Sequence, residues 1–136
     1  MIPYQTKSKK ISGTSYGEII RNAFLTFDEI KKQTKRRPYI KSAYFKKEKI
    51  FFDYFREHLF QKLPKERARR LKYFKAACEL IKYSRIGPIE KTESFEKKEV
   101  LYRFAGLTTE RELFYVQIKE DRRKKSKYFM SCFPPG

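Results

Sequence analysis

The chain has 136 residues and a mass of 16.6 kDa, with 34 Lys and Arg against 16 Asp and Glu, for a formal net charge of +18. Aromatic residues make up 17% of it, enough to fill a core, so 37% charged residues do not by themselves mean disorder. Two cysteines in apolar contexts, five glycines and no apolar run near the roughly 20 residues of a spanning helix argue against a disulfide scaffold, a Cys-based zinc site, a glycine phosphate loop and a membrane span.

Residues 1–15 mix Lys, Ser, Thr and Gly without periodicity and read as a flexible basic arm. Met1 to Ile11 has no apolar h-region, so a secretory signal is not expected and the location is predicted to be cytoplasmic. Residues 16–136 read as one domain. In it Ile20, Phe24, Phe27 and Ile30 recur at helical spacing and predict a helix over about 17–35, ended by Pro38. Ser42 is placed to cap a second helix over 42–63, on the stripe Phe45, Phe52, Phe55, Leu59 and Leu63. Pro64 suits the first turn of a third helix over 64–85, with Ala68, Leu71, Phe74, Cys78 and Ile81 inward and Arg67, Arg70, Lys72, Lys75 and Lys82 outward. Gly87-Pro88 stops it, and Ile89 to Lys98 shows no period and reads as a loop.

The last third alternates. Strands are expected at about 99–105, 112–119 and 127–133, joined by hairpin-scale connections. The predicted fold is therefore α+β, with N-terminal helices packed on one face of a C-terminal antiparallel β-meander. Period-2 geometry puts Val100, Phe104, Phe114, Val116, Ile118, Met130 and Cys132 under the helices. The other face collects Arg103, Tyr115, Gln117, Lys119 and Ser131, beside Phe129 and Phe133 as stacking surfaces for bases. Such a face also suits plain solvent exposure, and a single bulge would reverse part of the assignment.

The charge excess is spread along the chain, +6 over residues 1–40, +9 over 41–98 and +3 over 99–136. A basic body of this kind predicts a polyanionic partner, RNA or another nucleic acid. The expected phosphate contacts are Arg67, Arg70 and Lys75 on the third helix and Arg122, Arg123, Lys124, Lys125 and Lys127 at a hairpin tip. The helical set reads alternatively as a helix lying on duplex phosphates, without the short-turn, two-helix pattern of a helix-turn-helix, and the hairpin set reads equally as a solvated turn. His58, the only histidine, reads first as a packed or surface side chain and second as a general base. No metal ligands, cofactor or membrane partner are expected.

The stretches Leu101 to Gly106, Phe114 to Asp121 and Lys127 to Pro134 resemble small proteins of phages and mobile elements. Those are associated with the Barnase/EndoU/colicin/RelE-like (BECR) nuclease superfamily. The resemblance spans about residues 55–136 and implies RNA cleavage on an open sheet face, with Arg103, Gln117, Lys119 and Ser131 as positions to test. Combined with the residue types, it predicts a small metal-independent, toxin-like endoribonuclease acting by 2′-hydroxyl attack. In that reading Lys119 and Arg103 stabilise charge, and Tyr115, Gln117 or Ser131 places the nucleophile. Two alternatives stand beside it. One is a non-catalytic DNA- or RNA-binding protein of a phage or plasmid element. The other is an accessory protein whose basic surface meets an acidic antitoxin or inhibitor.

Overall fold

In the computed structural model, which describes residues 2–136, the Ser15 side chain accepts the Glu18 N–H at 3.3 Å and starts helix α1, Tyr16–Lys32. Ile19, Ala23 and Ile30 are its buried positions, and Lys31 and Lys32 occupy the last turn, where cations suit the helix dipole. Ahead of it lies the two-residue strand β1, Tyr4–Gln5.

The helix expected over 42–63 does not form. Residues 39–51 make a hairpin of β2 (Tyr39–Ser42) and β3 (Glu48–Phe51), and helix α2 covers only Phe55–Phe60. Ser42 does act as a cap, but of a turn: its Oγ accepts the Phe45 N–H at 3.1 Å. Lys46 and Lys47 then take φ of 55° and 67°, and these left-handed residues reverse the chain. Phe52, Phe55 and Leu59 of the expected stripe are buried, but only Phe55 and Leu59 lie on a helix. The facing pair Ile40 and Ile50, both in the core, carried a competing strand pattern within the same residues.

The third helix is two helices, α3 (Pro64–Leu71) and α4 (Phe74–Tyr83). Between them the Lys72 carbonyl accepts the Ile11 N–H at 2.8 Å, so the N-terminal segment is docked at the break. That segment is a strap. Thr6, 2% exposed, bonds the Leu107 carbonyl through both N–H and hydroxyl. The Glu79 carboxylate accepts from Tyr4, from the Lys7 N–H and from Ser8 at 2.7–3.1 Å. Burial, together with the Glu79 charge, pushes the Tyr4 hydroxyl up to about 12.

Residues 90–94, expected as loop, form β4 (Glu90–Ser94). Four of its five residues are exposed, so as an edge strand it has no apolar face to announce it. The remaining strands are β5 (Glu99–Leu107), β6 (Leu113–Asp121) and β7 (Ser126–Phe133). All seven join one sheet in the order β1-β5-β6-β7-β3-β2, with β4 sharing the outer edge of β5 with β1. The pairs β1·β5 and β3·β7 are parallel. The simple antiparallel meander with helices on one face is thus corrected to a mixed seven-stranded sheet, with helices interleaved among the strands in chain order.

Two local features shape the site. The first is in β7. Its pairing with β6 runs Phe133, Cys132 and Ser131 against Tyr115, Val116 and Gln117, and resumes after a shift with Phe129 against Ile118. Met130 is the extra residue of this bulge, so side chains before it swap faces relative to those after it. The second is that β3 pairs with β7 only at Lys127 and Tyr128. Beyond them the outer edge of β7 is taken by α2 and α3, which pack against that strand. The core is dominated by Phe74, Phe114, Phe129, Leu71, Ile50 and Ile118, each under 2% exposed. Gly106 is required within it, because a Cβ there would come within 2.6 Å of the Phe114 ring.

Candidate nucleic-acid interface

Across the face of the sheet opposite Phe104, Val116 and Ile118, cross-strand register sets Glu90, Arg103, Gln117 and Ser131 side by side as successive Cα partners from β4 to β7. Neighbours in such a row lie about 5 Å apart. The row does not stop at the sheet. Arg70 of α3 donates through Nη1 to Ser131 Oγ at 2.7 Å, and Glu66 accepts from Arg70 Nε at 3.1 Å. Against the pull of burial, Arg70 and Arg69 hold the Glu66 carboxyl below its ordinary value.

Arg103 is the least satisfied member. Its Nη1 reaches Glu90 only at 3.5 Å, and its Nε is buried without a hydrogen-bond partner among the described residues. Its guanidinium lies 5.3 Å from the centre of the Phe133 ring and 5.8 Å from that of Tyr115. Arg70 is 5.2 Å from the same Phe133 ring, so two guanidinium groups share one aromatic support. A buried donor left without an acceptor costs about 1–3 kcal/mol, which an incoming phosphate oxygen would recover. The Gln117 side chain likewise makes no hydrogen bond among the described residues.

Lys119 lies two residues along β6 on the same face, its side chain 18% exposed, with Glu99 at 3.8 Å and the Tyr54 ring at 4.5 Å. His58 lies on α2, the helix that packs against β7. Burial, then the charges of Lys62, Arg70 and Lys119, hold its imidazole below the ordinary 6.5. The sequence showed that His58 was unique but not where it would lie, because its helix is placed by the edge of β7 that β3 leaves free.

The other expected phosphate contacts scatter. Phe129 is 0% exposed, packed in tilted and edge-on contacts among Phe52, Phe55 and Phe74, because the Met130 bulge turns it to the core. The expectation that it faces bases is corrected; Phe133, beyond the bulge, stays on the open face. Lys127 is also withdrawn, its side chain 11% exposed and its Nζ shared between Glu48 at 2.8 Å and Glu120 at 3.5 Å. Arg67 caps α2, donating to the Lys62 and Phe60 carbonyls. Lys75 lies far round the molecule, lining cavities of about 430 and 710 Å³ between the strap, α1 and α4. Arg122, Arg123, Lys124 and Lys125 are exposed at the β6–β7 tip; Arg122 pairs with Glu93 and Glu120, and Lys124 donates to the Tyr54 hydroxyl at 3.0 Å.

Cys78 and Cys132 are buried, and burial pushes both thiols up, Cys132 to about 12. Among the described residues no three His, Cys, Asp or Glu side chains gather as metal ligands would. No helix among them is long and apolar enough to cross a membrane. The chain matches no protein-family model, no curated protein and no solved structure.

Proposed function

We propose that the chain binds RNA across the Arg103–Gln117–Ser131 row and cleaves it by 2′-hydroxyl attack on the adjacent phosphorus. The observation that carries this reading is the row itself, closed at one end by Arg70 and holding an unpartnered guanidinium donor in Arg103. In the reaction, His58 takes the 2′-hydroxyl proton. The 2′-oxygen bonds phosphorus as the bond to the 5′-oxygen breaks, leaving a 2′,3′-cyclic phosphate. Lys119 supplies the proton for the leaving oxygen. Arg70 and Arg103 lie where negative charge grows on the phosphoryl oxygens, and fixed donors of that kind contribute the largest share of many such accelerations. Gln117 and Tyr115 have free polar groups beside the row for orienting the ribose. The earlier assignment of Ser131 to the nucleophile's side gives way to a bridging role, since Arg70 already engages its hydroxyl.

The test is direct. Labelled unstructured RNA incubated with the protein in EDTA is expected to give fragments with 2′,3′-cyclic ends, and His58→Ala and Arg103→Ala to lower the rate at least about 100-fold, the usual size of a lost acid–base or charge-stabilising group. Intact RNA after prolonged incubation overturns the catalytic reading. Salt-dependent binding without cleavage would favour the non-catalytic nucleic-acid-binding reading, which the tight Arg70–Ser131 contact also suits.

A further inference from the structure

A second cross-strand row runs beside the first and carries an aromatic ladder. From β6 outward, Lys119, Tyr128, Phe51 and Tyr39 are successive Cα partners across β6, β7, β3 and β2. Tyr54 lies on Tyr128 with ring centres 4.7 Å apart, Tyr128 meets Phe51 at 6.2 Å, and Phe51 meets Tyr39 at 6.0 Å. Tyr128 is buried beneath, while Tyr54, Phe51 and Tyr39 are half-buried at the surface. Each of these three surface rings carries a cation: Lys119 and Lys124 at 4.5 and 5.8 Å from Tyr54, Arg37 at 3.8 Å from Phe51, and Lys49 at 4.7 Å from Tyr39.

The far end of this ladder is charged at a cost to folding. Lys41 and Lys49 face each other directly across β2 and β3, a like-charge pair that destabilises a hairpin. Lys46 and Lys47 hold left-handed backbone where glycine would be less strained. None of these four lysines has a carboxylate partner among the described residues, and Glu48, the only acid in the hairpin, is committed to Lys127. Arg37 is the one neutralised cation of the far half, through Asp53 at 3.0 Å.

Resting on the endoribonuclease reading, we infer that the substrate is single-stranded RNA, and that its chain extends from the Arg103–Ser131 row over Tyr54 and Phe51 to the β2–β3 hairpin. The ladder crosses three strand spacings from Lys119 to Tyr39, about 14 Å, room for more than the two nucleotides that flank the broken bond. An unpaired base stacked on a ring is worth more than the solvent-exposed cation–π contact it displaces, and the displaced cation is then free for a phosphate. A duplex keeps its bases stacked inside and cannot use the rings.

The experiment compares an unstructured 12-nucleotide RNA, the same sequence annealed to its complement, and a dinucleoside monophosphate. The unmodified protein is expected to show a kcat/KM at least about tenfold higher on the single-stranded 12-mer than on either of the others. Lys41→Glu with Lys49→Glu, both exposed and checked for an unchanged thermal melting midpoint, is expected to lower kcat/KM on the 12-mer about tenfold more than on the dinucleotide. Equal losses on both, or equal cleavage of single strand and duplex, overturn the ladder while leaving the cleavage reaction standing. Should no substrate be cleaved, the cleavage reading fails by itself and the ladder is judged by fluorescence anisotropy. The double variant should then reduce the slope of log affinity against log salt by about 0.7 per lysine, the single-strand value, and an unchanged slope overturns it.

Discussion

Arg70 of α3 and Ser131 of β7, 61 positions apart, are joined by a 2.7 Å hydrogen bond from guanidinium to hydroxyl. Ser131 is 3% exposed, so its oxygen has exchanged water for this donor. The bond fixes a cation of a helix onto the end of a sheet row, and the Ser131 proton remains free to point along that row.

Replacing Arg70 by Ala strands the Ser131 hydroxyl and leaves Glu66 with Arg69 alone, at a cost of about 1–3 kcal/mol. Urea denaturation should show that loss as a lower midpoint with an unchanged slope. Arg70→Lys is expected to keep the salt dependence of RNA binding but to lose most cleavage, since an ammonium cannot reproduce the planar fork. Full cleavage by the Lys variant would take Arg70 out of the chemistry.

The pH dependence should follow His58. Its folded-state value lies below the unfolded 6.5, so the unfolded chain takes up the proton first as pH falls. Stability is fully present above 6.5 and declines as pH drops from there through the lower folded value. His58→Gln should flatten that limb of the stability curve. If His58 is the base, the acid limb of kcat/KM has its midpoint below 6.5; a midpoint above it, or a limb that survives in His58→Gln, assigns the proton acceptor elsewhere.

Phe129 and Phe133 should separate stability from binding. Phe129→Ala empties a fully buried site and is expected to cost about 3–5 kcal/mol. Phe133→Ala should cost far less stability while weakening single-stranded RNA binding by about 1–3 kcal/mol. Anisotropy and thermal melting on the two proteins read both effects, and a reversal would mean the bulge is misplaced.

Lys127 and Lys124, three residues apart, should likewise differ. Against the pull of burial, the Tyr102 hydroxyl and Lys127 hold the Glu120 carboxyl low. Lys127→Ala therefore lowers stability and leaves the salt slope of RNA binding unchanged. Lys124→Ala leaves stability unchanged and reduces that slope by about 0.7. Titrations at 50 and 200 mM salt decide between them.

How much of this was legible in the residues depended on whether a pattern had one physical source. Alternation in Val100–Phe104 and Phe114–Ile118 marks β5 and β6 because each strand buries one face only. The α1 stripe is similarly plain. Between residues 39 and 60, however, aromatic residues serve a strand, a turn and a short helix in succession, and their spacing mimics one long helix. β4 has no apolar face, and β1 is two residues long, too short for alternation, though the side chains of Tyr4 and Gln5 help to hold it. In the site, Arg103, Gln117, Lys119 and Ser131 share a face through simple period-2 geometry. Phe129 misled because a bulge leaves no trace in residue type. Arg70 and His58 were visible as charge and as a lone imidazole, but their position follows from two helices taking up a strand's edge, which is a tertiary fact.

The N-terminal strap sets the order in which this molecule can be completed. Thr6 waits for Leu107, 101 positions later, and Ile11 waits for the break between α3 and α4. During synthesis that early segment stays undocked until most of the polypeptide has left the ribosome, the slow, long-range closure expected of a high-contact-order fold. Because α3, which carries Arg70, is steadied at its far end by that docking, competence at the Arg70–Ser131 end of the sheet is expected to arrive late, as a finished chain property.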